Sequence, residues 1–437
     1  MATGTSATVA AAAPDDRSYA RGARILSIGI AATGLFTFAY FSVASHVLDD
    51  HAYGRISLLW SVLFVTMSVI YRPVEQLLSR SIADRRARGA RGGHPLRVPA
   101  TIQAAFAAAF LVVALALRGP IQDGLFDGSA TLYWILVGAA LAYAASYFAR
   151  GYLAGHQWFG LYGGLVLFES VSRFAFPVAV AVGIASGETA VALGIAAAPV
   201  ASLLVIPWAL RRHEAANGRG AAPRERGELR EGAGFAGSVA AIQLAEQTLL
   251  NAAVLLVADS ATAGIVFSAL LIARAPLQLF QAVQTSLLPH LAGLEATEGH
   301  AAFARAIRRT VQVIAGFAGA VALALLLVGP FAMDVLFGAD ADYGRVGLAV
   351  IAIGMGLHLT AGTLNQAALA RGRAAAAAGA WLVAAALFVT WMALPVVDSE
   401  LTRAEVGYAA AAAVLCVLLA ALYRLSSPTT SPRPTAS

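Results

Sequence analysis

Two apolar stretches decide the fold: TIQAAFAAAFLVVALALRGP at residues 101–120 and TVQVIAGFAGAVALALLLVGP at residues 310–330. The first carries no charged residue before Arg118, and the second carries none. Each run is close to the roughly 20 residues that a helix needs to cross about 30 Å of hydrocarbon. Both stretches are therefore predicted to be transmembrane helices.

The composition extends this prediction to the whole chain. Of the 437 residues, 59% are hydrophobic and only 12% are charged, and the mean hydropathy is +0.73. A soluble protein carries roughly a quarter charged residues, and soluble cores stop growing near about 250 to 300 residues. The basic pI of 9.7 does not indicate nucleic-acid binding, because the arginines fall in membrane loops. The sequence predicts an all-α integral membrane protein.

Twelve apolar segments of spanning length divide into two sets of six. They fall at 25–46, 56–78, 99–117, 131–149, 159–183, 190–210, 235–258, 262–289, 310–332, 347–369, 375–395 and 405–423. The predicted organisation is a cytoplasmic segment 1–24, an N-lobe 25–210, a cytoplasmic linker 211–234, a C-lobe 235–424 and a disordered cytoplasmic tail 425–437.

The arginines indicate the orientation of these spans. All 30 basic residues are arginine, and 23 of them lie in the segments on the side of the N-terminus. Cytoplasmic loops of membrane proteins carry an excess of basic residues. Both termini are therefore predicted to be cytoplasmic, in a bacterial inner membrane.

Matching landmarks in the two halves indicate an internal duplication. Gly119-Pro120 corresponds to Gly329-Pro330, and Arg72-Pro73 in span 2 corresponds to Arg274-Ala275-Pro276 in span 8. Each half has six spans, so both halves begin in the cytoplasm and the repeat axis runs along the membrane normal. Two pseudo-symmetric six-helix lobes are typical of alternating-access transporters, which bind substrate between the repeats.

Charged and polar residues inside the spans are the candidate functional groups. An ionised side chain in hydrocarbon costs at least about 2.5 to 3.5 kcal/mol, so these residues are expected inside the bundle. The predicted substrate-binding residues are Arg72, Arg274, Gln278, Gln281 and Asn251. The predicted coupling or charge-pair residues are Glu75, Glu246, Glu169 and Arg173.

Two readings of these charges stay open. Arg72 with Glu75, and Glu169 with Arg173, have spacings that suit structural ion pairs within one helix. Arg72 and Arg274 instead occupy corresponding places in the repeats, and no carboxylate stands beside Arg274 as Glu75 does beside Arg72. Because the planar guanidinium suits phosphate oxygens, two facing arginines could hold an anionic substrate.

Enzyme and cofactor signals are poor. A chain without lysine cannot contain a Walker-type phosphate loop. Asp340 and Asp342 resemble a metal-binding glycosyltransferase pair but lie on the predicted external side. The histidines lack metal-ligand spacing, and Cys416 is the only cysteine. We therefore expect a transporter with no cofactor and no metal site.

Several weak landmarks together resemble a known family. They are Tyr71-Arg72-Pro73-Val74-Glu75, the run Glu246 to Asn251, the run Arg274 to Gln281, the run Gln284 to Leu291, Leu336-Phe337-Gly338, and the run Asn365 to Arg373. With twelve spans, they resemble the polysaccharide or O-antigen flippases of the multidrug, oligosaccharidyl-lipid and polysaccharide (MOP) exporter superfamily. The resemblance covers essentially the whole chain. It implies two lobes in a V shape that alternate their access.

The resemblance also implies a substrate and partners. The substrate would be a lipid-linked oligosaccharide or polysaccharide precursor on a polyprenyl diphosphate, moved across the cytoplasmic membrane. Partners would be membrane lipid and the glycosyltransferases or polymerase of the same pathway. The alternative is a cation-coupled multidrug or metabolite antiporter of the same superfamily, although three intramembrane arginines balance the three glutamates. A glycan polymerase or ligase is a third reading, which the short external loops disfavour.

Overall fold

The chain folds into long helices that follow the predicted spans. The computed structural model describes residues 16–87, 96–205, 228–272, 274, 300–338, 343–371 and 373–425. The helices of the first half are α1 Asp16–Val47, α2 Asp50–Thr66, α3 Arg72–Ala87, α4 Arg97–Ala116, α5 Arg118–Phe126, α6 Ala130–Gly155, α7 Phe159–Ala181 and α8 Gly187–Ser202. Those of the second half are α9 Glu228–Leu255, α10 Ser260–Ile272, α11 His300–Phe337, α12 Arg345–Ala370, α13 Ala374–Ala393 and α14 Glu400–Leu425.

The helices confirm an all-helical membrane fold. Among the described residues, eight helical segments are long and apolar enough to cross a membrane, and α8 and α10 are shorter apolar helices. Helices α1 and α9 cover the predicted spans 1 and 7. The part of span 8 after position 274 lies outside the described residues. The protein is a multi-pass membrane protein.

Several predicted boundaries differ from the helix ends. Helix α1 already begins at Asp16 and α9 at Glu228, within segments that we predicted to be a cytoplasmic end and a linker. Helical turns of good helix formers such as Glu, Leu and Arg persist beyond the hydrocarbon. Helix α14 ends at Leu425, the first residue of the predicted tail, and the rest of that tail lies outside the described residues.

The Gly-Pro landmarks have different surroundings in the two halves. Gly119 and Pro120 lie in the first turn of α5, where proline costs no helical hydrogen bond. Pro330 instead lies inside α11, which continues to Phe337. The third span of the first half is therefore interrupted at Leu117, whereas its counterpart is one helix of 38 residues.

A π-helical turn, Met67–Tyr71, joins α2 to α3 and makes span 2 continuous. A π turn contains an extra residue, so the phase of 100° per residue does not carry through it. Ser68, before the junction, is buried, whereas Gln76 after it is exposed. A single uniform helical phase therefore does not describe the positions of the polar residues along span 2.

The packing of the helices repeats between the halves. In the N-lobe, α1 packs on α7, α7 on α8, α6 on α8 and α4 on α6. The helices six spans later pack in the same way: α9 on α13, α13 on α14, α12 on α14 and α11 on α12. This correspondence is expected from a duplicated six-helix unit, and it agrees with the predicted division into two lobes.

The lobes meet through spans 1, 2, 7, 8 and 9. Helix α9 packs along α2, the π turn and α3, and α1 contacts α11. Ser42 in α1 donates a hydrogen bond of 2.6 Å to the carbonyl of Leu336 in α11. We call the end of the bundle that carries Asp49, Asp127 and Asp259 the outer end, following the orientation predicted from the arginines.

Candidate functional site

The N-lobe contains a buried ion pair between spans 4 and 5. Arg150 in α6 donates to the Glu169 carboxylate in α7 at 2.7 Å, and Ser146 donates to the same oxygen at 3.0 Å. The predicted local pair of Glu169 with Arg173 is not formed. Arg150 satisfies the carboxylate because α6 continues to Gly155, six residues beyond the predicted end of span 4.

Arg173 is held by neutral groups instead. Its side chain donates to the Thr37 hydroxyl at 2.9 Å and to the Tyr143 hydroxyl at 3.4 Å, and its guanidinium lies 4.4 Å from the centroid of the Trp60 ring. Only 2% of Arg173 is exposed. Its place between α1, α2 and α6 makes it a structural residue of the N-lobe rather than a charge partner of Glu169.

Arg72 and Glu75 lie in the first turn of α3, directly after the π turn of span 2. Arg72 reaches the other lobe, where it donates to the side-chain oxygen of Gln243 at 3.4 Å. Glu75 accepts a hydrogen bond of 2.7 Å from the Tyr162 hydroxyl in α7. The two residues therefore have separate partners, and no ion pair joins them.

A polar cluster on the C-lobe surrounds Glu246 of span 7. The Gln243 amide donates to one Glu246 oxygen at 3.0 Å, and Nε2 of His358 in α12 lies 3.9 Å from the other. The His358 ring packs between Trp381 and Tyr408, with ring centroids at 5.4 and 6.2 Å. The Glu246 side chain keeps 21% of its surface exposed. Glu246 is thus fixed, ionisable and still accessible.

Arg274 of span 8 is a buried cation for which the described residues supply no hydrogen-bond partner. It is 9% exposed, and its guanidinium lies 5.5 Å from the centroid of the Phe267 ring. Its Nε and Nη2 groups are buried and donate to nothing within the described part of the chain. Glu246 does not pair with it. A buried guanidinium with free donors is suited to an oxyanion.

Asn251, another predicted substrate-binding residue, does not join these groups. Asn251 is completely buried, and its amide donates to the backbone and side-chain oxygens of Gln247 one turn earlier. That contact is internal to α9. Gln278 and Gln281 lie outside the described residues.

The polar residues that were absent from the sequence-based candidates include Arg150, Tyr162 and Glu405. Arg150 was assigned to a cytoplasmic loop, and Tyr162 carried no periodic signal. Glu405, 5% exposed in α14, places its carboxylate against the backbone of Gly347 in α12. A charge at the predicted end of a span, as at 150 and 405, is the signal that could have identified two of them.

The polar residues at the interface between the two lobes are suited to binding a ligand and an ion. Arg72 of one lobe and Gln243 with Glu246 of the other form a polar contact across the interface. No group of three His, Cys, Asp or Glu side chains gathers into a metal site within the described ranges. Among the described residues, Glu246 and His358 form an accessible interface pair whose chemistry suits a monovalent cation or a proton.

Comparison with known sequences gives no relative. The chain matches no protein-family model and no curated protein sequence.

Comparison with solved structures identifies the fold. An inward-facing multidrug resistance MATE family transporter of the MOP superfamily superimposes with a TM-score of 0.65 at 13% identity, over 92% of this chain and 99% of that one. The eukaryotic MATE transporter AtDTX14 gives 0.69 at 13% identity, over 94% and 96%. A variant of the Vibrio cholerae MATE transporter VcmN gives 0.60 at 15% identity, over 94% and 98%.

These similarities define the architecture of the chain. Its fold is similar to that of MATE transporters, which have twelve transmembrane helices in two lobes. The structures that it resembles are MATE transporters, not enzymes. The structures that it resembles include a member of the superfamily to which the sequence landmarks pointed, but they are MATE transporters and not the flippases that the landmarks suggested.

Proposed function

We propose that this protein is an alternating-access exporter in which Glu246 couples a cation gradient to the efflux of an organic metabolite or drug. The single observation that carries the proposal is the position of Glu246. It lies on span 7 at the lobe interface, between Gln243 and His358, and it keeps an accessible carboxylate. The fold supports the same function, because the superimposed structures include a multidrug resistance transporter.

The chain's composition narrows what can carry a proton. It contains no lysine, and arginine stays protonated at all physiological pH values. Carboxylates and histidines are therefore the groups that can gain and lose protons inside the bundle. Of the glutamates in the two clusters, Glu169 has an arginine partner at 2.7 Å, whereas Glu246 faces a titratable histidine.

The test uses purified protein in lipid vesicles with an imposed pH gradient and ethidium as the transported organic cation. The native protein should move ethidium only when the gradient is present. Glu246→Gln should remove gradient-driven transport, because the amide keeps the shape but cannot exchange a proton. Asp398→Asn, which changes an exposed loop carboxylate, is the matched control. Equal gradient-driven transport by Glu246→Gln and this control would contradict the proposal.

A second function, flipping of a lipid-linked anionic glycan, is favoured by Arg274. Two donor groups of this buried guanidinium have no partner among the described residues, so the site favours an anion over a cation. Arg72 at the interface could contact the same diphosphate from the N-lobe. Under this reading, the protein would work with the glycosyltransferases or polymerase of a glycan pathway.

Substitution of Arg72 and Arg274 distinguishes between the two functions. Arg72→Ala with Arg274→Ala should abolish flipping of a fluorescent polyprenyl diphosphate in vesicles if the second function is correct. Losing one buried anion contact costs about 2 to 5 kcal/mol, and Arg274→Lys should restore only part of the rate because lysine lacks the planar fork. Flipping at the native rate by the double variant would exclude these arginines from substrate binding.

A further inference from the structure

The lobes are in direct backbone contact at their outer ends. Gly54 in α2 lies so close to the carbonyl of Ser260 that a Cβ at position 54 would overlap it. Ser260 is the first residue of α10, on the other lobe. About two turns further along α10, the Ser268 hydroxyl lies 2.7 Å from the Tyr53 hydroxyl. Small residues allow this approach, as they do at other helix interfaces in membranes.

A network of charges surrounds this contact. Arg55, the residue after Gly54, donates to the Glu188 carboxylate at 2.8 Å and to Asp127 at 3.2 Å. The Ser260 hydroxyl donates to the same Asp127 oxygen at 3.2 Å. Asp127 thus receives one bond from its own lobe and one from the opposite lobe.

The backbone of Asp127 fixes the position of its carboxylate. The residue ends α5 in the left-handed region, with φ of 49°, and Gly128 follows with φ of 83°. Ser129 then begins α6 by accepting a hydrogen bond from the Leu132 amide at 3.3 Å. A two-residue reversal between capped helices leaves the Asp127 side chain little freedom to follow Ser260 when the lobes separate.

We propose that Asp127 is an external latch: it holds Ser260 of the C-lobe against the N-lobe, and it must release Ser260 before the outer side can open. Arg55 and Glu188 are positioning residues that hold the carboxylate from behind. This latch goes beyond the proposed transport function and requires only that the lobes separate. Its partner across the interface is neutral, which keeps the contact reversible, since a fully buried ion pair would be far harder to break.

The test measures opening directly, by the reaction of one buried cysteine with an impermeant maleimide. In a Cys416→Ser background, Ser57→Cys places the thiol three residues after Gly54, on the helix face that meets the C-lobe, where Ser57 is completely buried. Asp127→Asn should raise the labelling rate about three- to tenfold, the range for losing one partly exposed hydrogen bond to a charge. Asparagine tolerates the left-handed backbone, so the change isolates the charge.

Two further variants complete the experiment. Asp123→Asn, an exposed carboxylate in the same helix α5, should label at the parent rate. Ser260→Ala leaves the Arg55 and Asp127 pair intact but removes the contacts of the Ser260 hydroxyl with both Asp127 and the His51 ring, which lies 3.1 Å away. It should accelerate labelling at least as much as Asp127→Asn. Parent-rate labelling of Ser260→Ala and of any folded Asp127→Asn would overturn the latch. No substrate is present, so this failure would leave the proposed transport function untouched.

Discussion

At the scale of single residues, the N-lobe is organised by charges whose partners lie on other helices. Arg150 and Glu169 form one buried pair, and the Arg150 guanidinium also lies 4.5 Å from the centroid of the Tyr147 ring. Arg173 completes the set through hydroxyl groups and a tryptophan face. Removing one member of a buried pair leaves an uncompensated charge, which costs more than the pair contributes.

We expect Arg150→Met to destabilise the protein strongly. Glu169 would keep its Ser146 hydrogen bond but lose its cation, at a cost of about 3 to 5 kcal/mol. The change is measured as a lower midpoint of thermal unfolding in detergent.

The companion variant distinguishes charge from packing. Arg150→Met combined with Glu169→Gln removes both charges and should recover most of the lost stability. Arg173→Met, which leaves Glu169 paired, should not be rescued by Glu169→Gln. A double variant as unstable as Arg150→Met alone would show that the arginine acts through its contacts and not through Glu169.

The sequence predicted the presence of these charges but not their pairing. Glu169 and Arg173 have the spacing of a local helical pair, yet such pairs contribute only about 0.2 to 0.5 kcal/mol. A cation from another helix can satisfy a buried carboxylate with better geometry, and no spacing along one helix reveals it. For Arg274 the sequence and the structure agree. The sequence offered no partner for it, and the described residues supply none.

At the scale of helices, spans 2 and 4 approach each other through glycine. A Cβ added to Gly151 in α6 would lie 2.7 Å from the carbonyl oxygen of Glu75, and one added to Gly155 would lie 2.7 Å from Ile82. The closeness of α6 to α3 keeps Glu75 and Arg72 in place, because both belong to the first turn of α3.

Gly151→Ala should therefore destabilise the protein by about 1 to 3 kcal/mol, because the methyl group would push α6 away from α3. Gly138→Ala, in the same helix, is the matched control. A Cβ at position 138 meets no atom within 4 Å. This control should be neutral or slightly stabilising, since alanine favours a helix over glycine. Thermal unfolding of both variants in detergent checks the prediction, and equal midpoints would contradict the close packing.

The hydropathy and turn signals predicted the existence of the helices, whereas the π turn in span 2 was not predictable. Apolar runs identify spans because hydrocarbon excludes unpaired backbone groups. The sequence Met67-Ser68-Val69-Ile70-Tyr71 has the same apolar character as its neighbours, so nothing in it indicates an extra residue per turn. For that reason, the sequence alone does not give the angular position of Arg72 and Glu75 around the helix axis relative to Ser68.

At the scale of the whole molecule, the orientation stays a prediction from the arginines. In a Cys416→Ser background, a cysteine at Asp123 or Ser399 should react with an impermeant thiol reagent added to intact cells. Both positions are exposed and belong to predicted external segments. A cysteine at Gly89, in the predicted cytoplasmic loop after span 2, should react only after the membrane is permeabilised. Labelling of position 89 in intact cells would show that the predicted orientation is wrong.

The duplication was the most informative whole-chain signal, because it predicted two lobes and the structure shows the same helix pairs in each. What it could not predict was the asymmetry between them. Glu75 accepts a hydrogen bond from a tyrosine, whereas no carboxylate among the described residues faces Arg274, and the third span is broken in one half only. Such differences depend on single contacts, which a repeat of landmarks does not report.

The unbroken helix of the second half has a mechanical consequence. At 1.5 Å per residue, the 38 residues of α11 measure about 57 Å, nearly twice the thickness of the hydrocarbon layer. The third of α11 nearest its N-terminus carries three exposed arginines, Arg305, Arg308 and Arg309, which the predicted orientation places among the cytoplasmic phospholipid headgroups. The proposed alternating access requires the C-lobe to tilt, and the arginine-bearing end of α11 would then move among the headgroups of the inner leaflet. We therefore expect the rate of tilting to fall as the fraction of anionic lipid in that leaflet rises, because the arginines bind those headgroups.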